Sequence, residues 1–131
     1  MTNPAVGISA YLADQWLDTL SNVPYTVSVC AFALHTGIPG AAGTENASAT
    51  TLRVPGTFAA AAGGSFGFTG LPPIWSSMAA AETISYLSAW DALTAGNFLF
   101  SGQLLVPKTV AVGDQFALAA FTLSFAGQAS G

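Results

Sequence analysis

Hydrophobic and polar positions alternate most cleanly over residues 82–105, ETISYLSAWDALTAGNFLFSGQLL. Ile84, Tyr86, Ser88 and Trp90 share one face of an extended chain there, and Thr83, Ser85, Leu87 and Ala89 share the other. Period-2 patterning with β-branched and aromatic residues predicts a strand. Residues 91–97 predict a turn, with Asp91 to cap it and Gly96 or Asn97 to take positive φ. Phe98 and Phe100 resume the alternation and Leu104 follows Gly102, so the whole stretch predicts a hairpin. A hairpin this apolar does not stand alone in water; the rest of the chain, or another molecule, must cover it.

From the start of the chain, Thr2-Asn3-Pro4 predicts a helix N-terminus, a capping side chain followed by proline in the first turn. Ile8, Leu12, Trp16 and Leu20 then recur every fourth residue, widened by Tyr11, Ala13 and Leu17, which is one face of an amphipathic helix of about four turns. That face suits a core or a docking surface; Asp14 and Asp18 lie off it. Ser21-Asn22-Val23-Pro24 ends the helix. Residues 25–35, YTVSVCAFALH, predict a central strand, apolar on both sides. Residues 36–51 predict a long connection broken by three glycines and Pro39, of the length at which loops often carry function. Residues 52–54 predict a short strand, and the Ala- and Gly-rich stretch 57–68 fits either a helical turn or an edge strand. Pro72 and Pro73 exclude residues 70–75 from a central strand. They leave an apolar loop whose Leu71, Ile74 and Trp75 either tuck onto the core or anchor a neighbour. Val106-Pro107-Lys108 predicts a turn, residues 109–112 a short strand, Gly113-Asp114 another turn. Residues 115–125 close the domain, with Phe116, Leu118 and Ala120 on one face and a one-residue shift before Leu123 and Phe125 that suggests a bulge; residues 127–131 read as a tail. One helix (1–22) followed by several short strands with turns between them (23–131), and no βαβ alternation, predicts a mainly β fold: an antiparallel β-sandwich, jelly-roll-like, carrying one N-terminal α-helix.

Composition changes the picture in one respect. Charged residues make up 6% of the chain, against roughly 25% in ordinary soluble proteins. A surface so neutral repels its neighbours weakly, and protein–protein interfaces are depleted in Lys, Glu and Asp, so a surface covered in the working state is expected. Arg53 and Lys108 are the only cations in a chain of net charge −4. Displacing counterions from nucleic acid, or holding an anionic membrane, takes several more, so neither partner is expected. No apolar run reaches the length of a spanning helix, and no basic segment precedes an apolar one at the N-terminus as a secretion signal requires.

Candidate chemistry is sparse. His35 is the only histidine and Cys30 the only cysteine, so an intrachain disulfide is impossible and no recognised zinc-ligand spacing exists. As a nucleophile pair they fail: on one strand they point to opposite faces, about 16 Å apart at a strand's rise. Cys30 reads as a buried structural thiol and His35 as a hydrogen-bonded strand-end residue. Six carboxylates (Asp14, Asp18, Glu45, Glu82, Asp91, Asp114) fall mainly at turns and on the helix rather than as a facing pair. Gly63-Gly64 and Gly67 lack the Lys-Ser/Thr of a phosphate loop. No catalytic residue, metal or cofactor is expected. Trp75, Trp90 and Tyr86 remain as stacking platforms for an alternative, a carbohydrate- or receptor-binding module.

Four features in order resemble a family of small bacteriophage virion proteins labelled tail-fibre or minor tail proteins. They are the short N-terminal helix; Leu34-His35-Thr36-Gly37-x-Pro39-Gly40-x-x-Gly43-Thr44; the strand from Glu82-Thr83-Ile84-Ser85 to Trp90-Asp91-Ala92; and Gly113-Asp114 before a closing apolar strand. Ile38 stands where that family often has an acidic residue. The resemblance implies a non-enzymatic, β-rich part of the virion, assembled in the bacterial host. It would be a minor tail or fibre protein or a capsid decoration, associating with itself as a homo-oligomer, perhaps a trimer, and with major capsid or tail proteins of the same phage. Ile38, Leu71, Ile74 and Trp75 are the candidate interface residues.

Overall fold

The computed structural model describes residues 6–63, 65–118 and 122–124. It is mainly β, with antiparallel sheets and a single helix. The elements are α1 (Ala10–Thr19), β1 (Ala31–His35), β2 (Val54–Pro55), β3 (Ser65–Gly67), β4 (Ile74–Trp75), β5 (Glu82–Trp90), β6 (Phe98–Val110), β7 (Phe116–Ala117) and β8 (Thr122–Ser124). A four-stranded sheet in the order β2-β1-β5-β6 is accompanied by two two-stranded ribbons, β3-β8 and β4-β7.

The β5–β6 hairpin forms as the alternation predicts. Asp91 closes its turn by accepting from the Asn97 backbone N–H at 2.7 Å and from its side-chain amide at 3.0 Å. Gly96 takes the positive φ, together with Ala95 rather than Asn97. Across the sheet, register puts Phe32, Ala89 and Phe100 in one row, and Leu34, Leu87 and Gly102 in the next. Directly opposed residues point to the same face, so this is the apolar face. Phe58 and Phe68 pack on it, with ring centroids 6.0 and 5.6 Å from Phe32. Leu12 of α1, Trp75, Met78 and Phe116 join the same buried cluster.

Four sequence expectations are corrected. The helix starts at Ala10, not near Pro4; residues 1–5 lie outside the described residues. Ser9 is the N-cap, its Oγ accepting from Leu12 N–H at 3.0 Å. The preceding residues are taken by the sheet: Ile8 bridges Phe100, Ser9 N–H donates to Leu99 O at 2.7 Å and Ser101 N–H to Gly7 O at 2.9 Å. The strand predicted over 25–35 is confined to Ala31–His35, because both neighbours stop level with Ala31: β2 at Pro55 and β5 at Trp90. Beyond one bond from Gly56 N–H to Cys30 O at 2.9 Å, residues 25–30 have no strand alongside and stay irregular. The turn predicted at Val106-Pro107-Lys108 is a bulge inside β6. Ile84 pairs with Lys108 and Tyr86 with Gln103, so residues 104–107 have only Ser85 across from them. Proline, lacking a ladder donor, fits there and on this outer strand. Lastly, 70–75 is not all loop, since Ile74 and Trp75 form β4 against Ala117 and Phe116.

In the ambiguous stretch 57–68, Phe58 bridges Phe68 and Ala59 N–H donates to Gly67 O at 2.9 Å, so its two ends pair as strands rather than as a helical turn; Gly64 lies outside the described residues. The proposed bulge between Phe121 and Leu123 and the tail at 127–131 fall outside the described residues. No helix among the described residues is long and apolar enough to cross a membrane.

Candidate functional site

Opposite the apolar face, the sheet presents Ala33, His35, Tyr86, Ser88 and Trp90, and residues 36–53 run across it. The loop is pinned first by backbone. Thr36 N–H donates to Asn46 O at 2.9 Å and Ser48 N–H to Leu34 O at 3.0 Å, so residues 46–48 continue the ladder on the side of β1 that β2 leaves open. Side chains complete the hold. His35 Nδ1 lies 2.8 Å from Glu45 O and its Nε2 2.7 Å from Ser88 Oγ, which also accepts from Trp90 Nε1–H at 2.8 Å. A carbonyl only accepts, so Nδ1 carries the proton and Ser88 donates to Nε2. Every polar atom of the relay is then used, and His35 and Ser88 are almost fully buried. Burial lowers the His35 pKa from its ordinary value, against the raising effect of hydrogen bonds to backbone at Glu45 and Asn46.

Two further ties close the loop's far end. Glu82 accepts from Ser48 Oγ and from Ala49 N–H, the latter at 3.2 Å. Arg53 places its guanidinium carbon 4.1 Å from the Trp90 ring centroid and donates Nη1–H to Ala92 O at 2.9 Å and Ala95 O at 2.6 Å. Burial pulls its pKa down and Asp91 pushes it back up. Between loop and sheet remains a cavity of about 200 Å³ lined by His35, Thr44, Ser48, Thr50, Arg53 and Trp90 among others.

The glycines of the His35-Thr36-Gly37 motif have mechanical reasons. Gly43 sits at φ +75°, and a Cβ there would stand 2.4 Å from the Phe98 ring. Gly40, at φ +81°, is pressed by the Glu45 carboxylate. Asn46 donates its side-chain amide to Ile38 O at 2.9 Å, which holds the loop's backbone while the Ile38 side chain stays 43% exposed.

Three of the carboxylates are engaged in hydrogen bonds of the fold itself. Glu82, Asp91 and Asp114 each accept from backbone N–H groups, Asp114 from Ala111 at 2.9 Å. No group of three or more His, Cys, Asp or Glu able to hold a metal occurs among the described residues. Cys30 is half-buried and its thiol is pushed up to about 12 by desolvation, so it is not a nucleophile at neutral pH.

The candidate interface residues separate into two kinds. Leu71 is 86% exposed, and Ile38 and Ile74 are partly so, whereas Trp75 is wholly buried against Phe116 and donates Nε1–H to Leu52 O at 2.8 Å. Trp75 is thus a core residue, neither an anchor for a neighbour nor a stacking platform. Trp90 lies beneath Arg53, which leaves half-buried Tyr86 as the one proposed platform open to a sugar. Sequence reasoning did not find the exposed apolar side chains at Leu105 and Val106, because it assigned that stretch to an ordinary turn. Their signal was available: two aliphatic residues ahead of a proline on a strand already supplied with a buried leucine.

No curated protein matches the chain. A family model described as "Podophage GP4 fiber I protein gp80" matches residues 7–126, from the segment that pairs with β6 to just beyond β8. The looped motif over the sheet, the β5–β6 hairpin and the closing strands all lie within that match, and the chain belongs to this family of phage fibre proteins.

Proposed function

We propose that the protein is a non-enzymatic structural subunit of a phage particle, docked on its surface as part of a fibre and associating with copies of itself. The observation that carries this reading is the family match over residues 7–126. The surface supports it. Leu71, Leu105, Val106, Leu17 and Leu20 are all more than half exposed on a chain with few charges to keep copies apart. Between the tail and the head, the fibre family favours the tail. Contacts to a larger virion protein would use the loop tip at Ile38 and the Leu71–Ile74 segment. The carbohydrate-module alternative has lost Trp75 and Trp90 as platforms. Mass spectrometry of purified particles, with immunogold labelling of the intact virion, tests the reading. The expected result is the protein present in particles with label on the tail. Its absence from washed particles overturns the proposal, and label confined to the head replaces the fibre role with capsid decoration.

A further inference from the structure

The cavity of about 200 Å³ between residues 36–53 and the sheet has an uneven hydrogen-bonding inventory. Several lining groups are spent within the fold. His35, Ser88 and Trp90 serve one another and Glu45 O, and Ser48 donates to Glu82 while accepting from Thr50 N–H at 3.0 Å. What remains is mostly donors. Thr50 Oγ1 accepts from Ala79 N–H at 2.8 Å, which leaves its O–H to give. Thr44 and Thr51, both exposed, have hydroxyls with no hydrogen-bond partner among the described residues. Arg53 offers most. Its Nη1 hydrogens go to the Ala92 and Ala95 carbonyls of the hairpin turn, which do not line the cavity. Its Nε and Nη2 hydrogens have no partner among the described residues. Nε–H and the adjacent Nη2–H lie parallel on one edge of the planar group, a fork that grips a carboxylate through two bonds. The Trp90 ring, 4.1 Å away, fixes that plane. No carboxylate is among the described lining residues, and both oxygens of Asp91 are occupied by Asn97.

From this we infer that the cavity binds a small hydroxylated carboxylate the size of one sugar acid, its carboxylate on the Nε–Nη2 edge of Arg53 and its hydroxyls among Thr44, Thr50 and Thr51. Size agrees. A cavity of about 150 Å³ holds a benzene ring, so this one has room for a six-membered ring and a substituent. Charge selects a monoanion. Lys108, the other cation, stands opposite Ile84 on β6 and does not line the cavity, so a phosphate dianion would be only half balanced. Threonine hydroxyls both donate and accept, which suits the hydroxyls of a sugar. Recognition is by charge and hydrogen bonds rather than by stacking, since Arg53 already lies over the Trp90 ring. The turn and the ring hold the fork in place before a ligand arrives, so little side-chain freedom is lost on binding. The inference goes beyond the structural role and does not depend on it.

The test titrates the full chain with D-glucuronate, D-glucose, acetate and inorganic phosphate, read by calorimetry and by amide NMR. Expected is saturable glucuronate binding, with shifts centred on residues 44–53 and 88–90, at least about tenfold tighter than glucose, acetate or phosphate. Arg53→Lys keeps the charge and loses the fork, so it should weaken glucuronate binding at least about tenfold. Arg53 also ties the hairpin turn, so Thr51→Val serves as the variant that spares the fold. Its unfolding midpoint should match the wild type while glucuronate binds about threefold or more weakly. No saturable binding up to about 10 mM glucuronate overturns the inference. So does glucose, acetate or phosphate binding as tightly, shifts centred elsewhere, or either variant, folded, binding as the wild type does. If glucuronate binds and the protein is absent from particles, this inference stands and the virion reading falls. If the protein is in particles and glucuronate does not bind, the reverse holds.

Discussion

Two regions of the molecule handle exposure in opposite ways. Beneath residues 36–53 the structure buries polar groups: His35, Ser88, Ser48 and Thr50 are almost inaccessible and their side-chain atoms are paired. Along the second half of β6 and the C-terminal turn of α1 it exposes apolar ones: Leu105, Val106, Leu17 and Leu20. Each arrangement costs free energy in an isolated chain, the first through desolvation offset by hydrogen bonds, the second through apolar area left in water. The first is balanced inside the chain. The second is left in water as far as the described residues go. What looks like one neutral surface in the composition is thus two arrangements, a loop latched by buried polar groups and a set of exposed apolar side chains.

Removing the latch should give the largest effect on folding. His35→Ala leaves the Ser88 hydroxyl and the Glu45 carbonyl without their partner and opens a void, which should lower stability by about 2–4 kcal/mol in denaturant unfolding. A change near zero would mean that the backbone ties at Thr36 and Ser48 hold the loop alone. Gly43→Val should cost somewhat less, about 1–3 kcal/mol, from a side chain forced to φ +75° and against Phe98.

The latch also predicts a smaller, graded dependence on pH. Desolvation holds the His35 pKa below 6.5, so the unfolded chain takes up a proton that the folded chain refuses. Stability is full above pH 6.5, falls as pH drops below it, and levels off under the folded-state pKa. Unfolding midpoints followed from about pH 8 to about pH 5 should show this slope. His35→Gln, which keeps polar atoms but does not titrate, should flatten it; an unchanged slope would assign it elsewhere.

Where alternation carried information, the sequence sufficed. Ser88 and Trp90 were placed on one face of β5 and are found there, bonded to one another. His35 was expected to be satisfied, yet its partner lies 53 positions along the chain, a pairing that depends on β1 and β5 being neighbours in register. The Ala- and Gly-rich residues 57–62 carried no pattern because small side chains suit either backbone. The helix start was misplaced for a different reason. Ile8 satisfies the helical period and also suits the strand edge, and the backbone partners offered by Leu99 and Ser101 settle the competition. Pro107 misled in the same way, since proline marks bulges as well as turns.

The smallest effect on folding belongs to the exposed apolar side chains, and it sharpens the comparison most. Leu105→Ser removes a side chain that touches almost nothing in its own chain, so the stability of the dilute monomer should change by no more than about 0.5 kcal/mol. The same substitution should weaken self-association, whereas His35→Ala should leave association of the folded fraction intact. Measuring both properties on both variants separates the two arrangements. If Leu105→Ser unfolds the monomer, the bulge belongs to the core after all, and its exposure is not held in reserve for a neighbour.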